Sequence, residues 1–346
     1  MSNKFMKRED HMTPTSPLRR LILALALGAA LPLSASAATT ELLNVSYDVA
    51  RELYKDINPA FIAAWKQQTG QTITIKQSHG GSSKQARAVA DGLEASVVTM
   101  NQANDIDMLA DRGLVAKDWA RKFPNNAAPY YSTMVYLVRK GNPKHIRDWQ
   151  DLAGPGVQVI IPNPKTAGNG RYTYLAAWGS VLKKGGNDAQ ARELVSRIFK
   201  NVPILDAGGR AATTTFTQRQ IGDVLVTFEN EVSMVRKEFG DNFEVVYPSV
   251  SILAESPVAV VDKVVDRRNQ RKEATAYLNF LYSPLGQEIG AKHFLRVRSD
   301  AVMKKYAANY KPIQLFTVDE LFGGWSKAQQ RHFNDGGEFD KIYGSK

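Results

Sequence analysis

The chain has 346 residues, a formal net charge of +11 and no cysteine. Disulfides, thiol catalysis and thiolate metal sites are excluded, so stability must come from packed cores, and the length allows one large or two ordinary domains. Basic residues are scattered among acidic ones with no run of five, which argues against a nucleic-acid footprint and leaves no nucleic-acid partner expected.

The chain opens with a basic lead, Lys4, Lys7, Arg8, Arg19 and Arg20, followed by an apolar run from Leu21 to Leu33 and the small residues Ala35-Ser36-Ala37. This pattern predicts a signal peptide over residues 1–38, cleaved near Ala37 or Ala38. The run is short for a membrane span, and no cysteine follows it for lipid attachment. Met6 and Met12 are alternative starts. The expected location is a periplasm-like space. The lead holds five basic and two acidic residues, so the remaining chain carries +8. Such a field draws small anions modestly.

Glu41 to Val45 reads as an edge-like strand ended by Ser46-Tyr47-Asp48. Asn58-Pro59 reads as an N-cap with proline at the first helical position, opening a helix through Phe61, Ile62 and Trp65 to Gly70. Thr72 to Lys76 alternates as a strand. Ser78-His79-Gly80-Gly81-Ser82-Ser83-Lys84 then forms a Gly/Ser loop before a helix, with Ser82 or Ser83 as a candidate cap. Val97 to Met100 is a further strand, and Asn101-Gln102 leads into another helix. This βαβα alternation predicts parallel sheets flanked by helices.

Tyr131 to Val138 is a β run long enough to pass between two lobes. The strand Val157 to Ile161 precedes Pro162-Asn163-Pro164-Lys165-Thr166-Ala167-Gly168-Asn169-Gly170-Arg171 and a helix through Trp178. Val202 to Asp206 leads into Ala207-Gly208-Gly209-Arg210, and Val224 to Phe228 leads into a helix starting at Glu229. Pro257 to Val264 reads as a strand returning to the first lobe, and the rest as helical. Strand, small-residue loop and helix together aim backbone N–H groups and a positive helix end at one point. Each loop alone reads first as a plain turn or helix cap. Three of them at strand carboxyl ends suggest an anion cleft.

The histidines, His11, His79, His145, His293 and His332, have no metal-ligand spacing on one helix, so no metal is expected. Glu229 and Glu231 read as partners of a helix dipole. No coherent set of nucleophile and base is evident, and no enzyme is expected.

Several blocks carry a family resemblance: Leu42-Leu43-Asn44 to Tyr47-Asp48, Gln77-Ser78-His79-Gly80-Gly81-Ser82, and Leu137-Val138-Arg139-Lys140-Gly141-Asn142-Pro143. Asn163-Pro164-Lys165, Leu175-Ala176-Ala177-Trp178, Ile252-Leu253-Ala254-Glu255 and Phe322-Gly323-Gly324-Trp325 complete the set. The sequence resembles the bacterial periplasmic sulfate- and thiosulfate-binding proteins of ABC importers. The resemblance implies an α/β, two-lobed type II periplasmic binding protein fold. Each lobe would be a mainly parallel sheet flanked by helices, with the ligand cleft between lobes. The expected division is 39–125 plus about 229–290 for the first lobe, 126–228 for the second, and 291–346 wrapping both. A monomer without cofactors is expected, with a small oxyanion and membrane permease subunits as partners.

Carried over by position, the resemblance implies that Ser82, Gly168, Asn169 and Gly209 hold the anion, with Asp48 at the site. Ser83, Arg171 and Arg210 would lie just behind it. The sulfate-binding branch has serine at Ala167 and tryptophan at Phe228, so two side-chain donors are missing. Thr166 is a candidate substitute. Asn101-Gln102, Gly208-Gly209-Arg210 and Phe228-Glu229-Asn230-Glu231 look closer to the thiosulfate-binding branch. Receptors for molybdate or phosphate, or an exported enzyme on the same scaffold, are the alternatives.

Overall fold

The computed structural model describes residues 39–344. The expected signal peptide lies outside the described residues.

The first lobe begins with β1 (Thr40–Tyr47), α1 (Arg51–Thr69), β2 (Ile73–Gly80), α2 (Ser82–Ala90), β3 (Val97–Thr99) and α3 (Ala103–Asp111). β1 pairs in parallel with both β2 and β3. It is therefore a central strand, not the expected edge, and Leu42 and Val45 are fully buried. Which strands flank β1 depends on long-range pairing that local alternation does not encode.

A second difference concerns Asn58-Pro59. Pro59 sits inside α1 rather than at its start. Proline there removes an N–H and crowds the preceding turn, at a cost of about 3 kcal/mol. The stripe Leu53, Ile57, Phe61 and Trp65 is buried on one face and outweighs it. Asn58 is not a cap; its Oδ1 accepts from the Tyr277 hydroxyl at 2.7 Å.

A short helical turn, α4 (Pro124–Ala127), precedes β4 (Tyr130–Ser132) and β5 (Met134–Arg139). The expected long strand is interrupted at Thr133, whose hydroxyl donates to the Ile252 carbonyl at 2.9 Å. β4 pairs with strands of a small middle sheet, whereas β5 enters the second lobe. That lobe adds β6 (Val159–Pro162), α5 (Gly168–Lys183), α6 (Asp188–Lys200), β7 (Leu205–Asp206), α7 (Gly209–Thr217), β8 (Val224–Phe228), α8 (Glu229–Phe239) and β9 (Phe243–Val246). Its sheet has the order β7-β6-β8-β5-β9. β6 is parallel to β7 and β8, and β5 is antiparallel to β8 and β9.

β9 belongs to the second sheet, so the return to the first lobe comes after it and not near 229. The return runs through β10 (Val250–Ile252), β11 (Ala254–Ser256) and β12 (Val258–Val260). β12 pairs antiparallel with β3, closing a first sheet of order β12-β3-β1-β2. The expected strand to Val264 stops at Val260, because Asp262–Arg267 is helical. The C-terminal part mixes short helices with Arg296–Val297 and Gln314–Phe316 strands rather than being wholly helical. Among the described residues no helix is long and apolar enough to cross a membrane.

Candidate functional site

The parallel strands put three helix starts at strand carboxyl ends. β2 feeds α2 at Ser82, β6 feeds α5 at Gly168, and β7 feeds α7 at Gly209. The first N–H groups of a helix have no intrahelical acceptor. Those of Ser82, Gly168, Asn169 and Gly209 are such groups, and each helix start adds roughly half a positive charge. Gly81, not a serine, is the N-cap of α2, with no side-chain cap bond. Ser82 instead turns its hydroxyl toward Asn101, accepting that residue's N–H at 3.3 Å.

The loop before α5 is rigid for local reasons. Asn163 Oδ1 accepts from Lys165 N at 2.9 Å, and its carbonyl accepts from Thr166 N and Ala167 N. Lys165 Nζ donates to the Phe333 carbonyl and to Asp340, each at 2.9 Å, pinning the loop to the C-terminal segment. Arg171 is buried; its Nε donates to the Pro164 carbonyl at 2.8 Å, and Nη1 lies 4.0 Å from Asp105 Oδ1. It braces the loop and reaches α3 of the other lobe. Ser83 does similar work, accepting from Gln102 Nε2 at 2.8 Å.

The two lobes are closed on one another here. A β-carbon built on Gly81 would lie 2.8 Å from the Thr166 carbonyl oxygen. One built on Gly168 would lie 2.1 Å from Asn101 Oδ1, and one on Gly208 3.3 Å from Asp48 Oδ2. Asp48 Oδ2 accepts the Arg210 N–H at 3.1 Å. The carboxylate thus sits at the α7 start, while the Arg210 side chain is exposed.

Beneath the loops a buried hydroxyl network joins three helices. Asn169 Nδ2 donates to Thr227 Oγ1 at 2.9 Å, and Thr227 donates to Glu231. Thr213 Oγ1 donates to Glu231 Oε1 at 2.5 Å. Burial raises the Glu231 pKa, and the two threonine hydroxyls oppose that shift. Glu231 therefore orders the first turns of α5, α7 and α8, a role the sequence did not reveal. Glu229 is paired with Arg296 at 2.7 Å and accepts from Tyr247. It is not a free base.

Phe228 ends β8 and is buried edge-on against Tyr172, with ring centroids 5.9 Å apart. Tyr172 in turn meets Trp325 at 5.0 Å. Ala167 is buried and is the N-cap of α5. Thr166 does not replace the missing serine: its hydroxyl donates to the Ala207 carbonyl at 3.0 Å and lies 3.3 Å from the Asn163 carbonyl. A separate polar cleft of about 480 Å³ opens behind these loops, lined by Ser83, Arg87, Asp105, Arg171 and Gln329 among others. It is much larger than a tetrahedral anion needs and does not include the helix starts at Ser82, Gly168 or Gly209.

His79 lies beside the first loop but packs against the Tyr54 ring and bonds to Gln77. Burial, with Arg51 adding to it, lowers its pKa to about 4. It is a structural group of β2.

A family model described as bacterial extracellular solute-binding protein matches residues 47–296. The chain is 59% identical to a thiosulfate-binding protein of Pseudomonas aeruginosa, over 94% of this chain and 99% of that one. The chain belongs to the bacterial extracellular solute-binding proteins, among the sulfate- and thiosulfate-binding members. It is also 55% identical to a sulfate-binding protein of Escherichia coli, over 89% of this chain and 94% of the relative. Among solved structures, the sulfate-binding protein SubI of Mycobacterium tuberculosis aligns with TM-score 0.78 and 32% identity, covering 85% of this chain and 100% of that chain. The fold is that of a type II periplasmic binding protein. A periplasmic thiamin-binding protein shares that fold, at TM-score 0.66 and 17% identity.

Proposed function

We propose that this protein is a periplasmic receptor that captures thiosulfate, and sulfate with it, between its lobes and delivers it to the permease of an ABC importer. The observation that carries the reading is the convergence of three helix starts, at Ser82, Gly168 and Gly209, from both lobes onto one closed cleft. The dianion is held by backbone N–H groups and helix dipoles, not by a bound counter-cation. The likeness to proteins named for these two anions supports the same ligand class.

Thiosulfate is preferred because of what is missing. Its terminal sulfur is larger than an oxygen and accepts hydrogen bonds poorly. A buried donor facing that sulfur would go unsatisfied, at a cost of about 1–3 kcal/mol. Ala167 and Phe228 supply no such donor. Phosphate is disfavoured because hydrogen phosphate carries a proton that needs an acceptor. Asp48, the carboxylate at the start of α7, is engaged by the Arg210 N–H, and the anion itself is met by N–H donors.

The receptor acts as a monomer in the periplasm, binds without chemistry and releases its anion unchanged. Side-by-side calorimetric titration with thiosulfate, sulfate, molybdate and phosphate tests the reading, with mass spectrometry of the recovered anion. Tight binding of thiosulfate and sulfate, recovered intact, is expected. Preference for molybdate or phosphate, or a changed anion, would overturn it.

A further inference from the structure

Asn101 brings to the cleft a buried side-chain atom, Oδ1, for which the described residues supply no partner. Its backbone is fixed on both sides. Met100 N donates to the Pro257 carbonyl at 2.9 Å, and Asn101 N donates to Ser82 Oγ at 3.3 Å. These bonds aim the side chain from the first lobe at the start of α5. There its Oδ1 lies 2.1 Å from where a Gly168 β-carbon would be, so any side chain at that position would have to displace it. The residue is 6% exposed, yet Oδ1 is buried without a hydrogen-bond partner. No partner holds Nδ2 among the described residues either.

Buried carboxamides in folded proteins are almost always hydrogen-bonded. An oxyanion has no proton to offer Oδ1, but Nδ2, 3.0 Å from the same built β-carbon and beside the unshared N–H groups of Gly168 and Asn169, is a donor that an anion between the lobes would complete. A carboxamide fits an oxyanion because it brings two N–H donors without a proton that titrates. Ala167, on the other side of the same helix start, offers no side-chain donor at all.

We propose that Asn101 is the cleft's side-chain donor, giving an Nδ2–H to an oxygen of the captured anion and fixing that anion against the start of α5. The proposal rests on the oxyanion reading above and adds an affinity-determining side chain to it. Both anions offer oxygens, so the contact serves thiosulfate and sulfate alike. It also ties closure to occupancy, because the same carboxamide meets the anion and the Gly168 backbone only when the lobes are together.

The test is calorimetric titration of wild type, Asn101→Ala and Asn101→Asp with thiosulfate and with sulfate, with thermal melting of each protein without anion. Removing the donor should weaken both anions about tenfold. The near-isosteric aspartate sets a carboxylate against the dianion and should weaken binding about a hundredfold or more. Melting without anion should stay within a few degrees of wild type in both variants. Affinities within about twofold of wild type in both variants would overturn the proposal, as would equal losses in Ala and Asp with lowered melting, which mark a packing role. If wild type binds neither anion, the receptor reading falls and takes this one with it. If wild type binds and the variants are indifferent, Asn101 alone is refuted.

Discussion

Asp48 Oδ2 accepts the backbone N–H of Arg210 at 3.1 Å, a hydrogen bond from the start of α7 in the second lobe to the loop after β1 in the first. The carboxylate helps to hold the lobes together, and it also places a negative charge near an anion cleft. Asp48→Asn keeps an acceptor and removes the charge. We expect affinity for thiosulfate to rise about threefold at low ionic strength, with the gain shrinking as salt screens the charge. Calorimetry at two salt concentrations checks this. Weaker binding at low salt would mean that the carboxylate's grip on Arg210 outweighs its repulsion.

Closure can be separated from folding at Gly81. Its φ of −55° is ordinary for any residue, so alanine strains nothing locally. Its β-carbon would nevertheless lie 2.8 Å from the Thr166 carbonyl across the cleft. Gly81→Ala should leave urea stability within about 0.5 kcal/mol of wild type. Anion affinity should fall about tenfold or more, since the binding-competent closed state becomes rarer. Unchanged affinity would show that the loops tolerate a wider approach.

The proposed preference for thiosulfate rests on Ala167 and Phe228, both buried. Restoring donors with Ala167→Ser and Phe228→Trp should raise the sulfate-to-thiosulfate affinity ratio about tenfold. The indole is larger than the phenyl ring against Tyr172, so some overpacking cost, about 1–3 kcal/mol, is expected in the melting of the double variant. The ratio, not absolute affinity, is the informative quantity. A ratio that does not move toward sulfate removes the argument from these two residues.

Acid should loosen the fold through His332. Its Nδ1 lies 3.1 Å from the Tyr174 hydroxyl, and its ring sits among Tyr174, Trp178 and Phe322. Burial, then Arg331, lowers its pKa from 6.5 to about 4, with Arg192 adding and Asp188 opposing. A depressed folded pKa means that the neutral ring's stability is present above pH 6.5 and is lost as pH falls toward about 4. Urea denaturation across that range should show the decline, and His332→Phe should flatten part of it. His79, also lowered to about 4, supplies a further share. An equally steep decline in the His332 variant would place the titration elsewhere.

Much of this was legible in the chain because the cradles are local. A strand, a few small residues and a helix can be read from neighbours, and helices do start at Ser82, Gly168 and Gly209, although the first loop is shorter than expected, with β2 running to Gly80 and α2 starting at Ser82. What was not legible depends on contacts between distant segments. Asn101 gains its meaning only when α5 arrives opposite it, and Glu231 only when Thr213 and Thr227 converge on it. Thr166 looked like a donor because residue type does not say which carbonyl a hydroxyl will meet. Pro59 misled because a helix-breaking residue was outvoted by a buried apolar stripe. β1 looked like an edge because strand order is a property of the assembled sheet.

In this receptor a proton-free dianion would be held by donors alone. The most direct measurement is calorimetric titration of the wild-type protein with thiosulfate, with and without excess phosphate, near neutral pH. Tight one-to-one binding that phosphate does not displace is expected. An absence of binding heat for thiosulfate, or its displacement by phosphate, would contradict it.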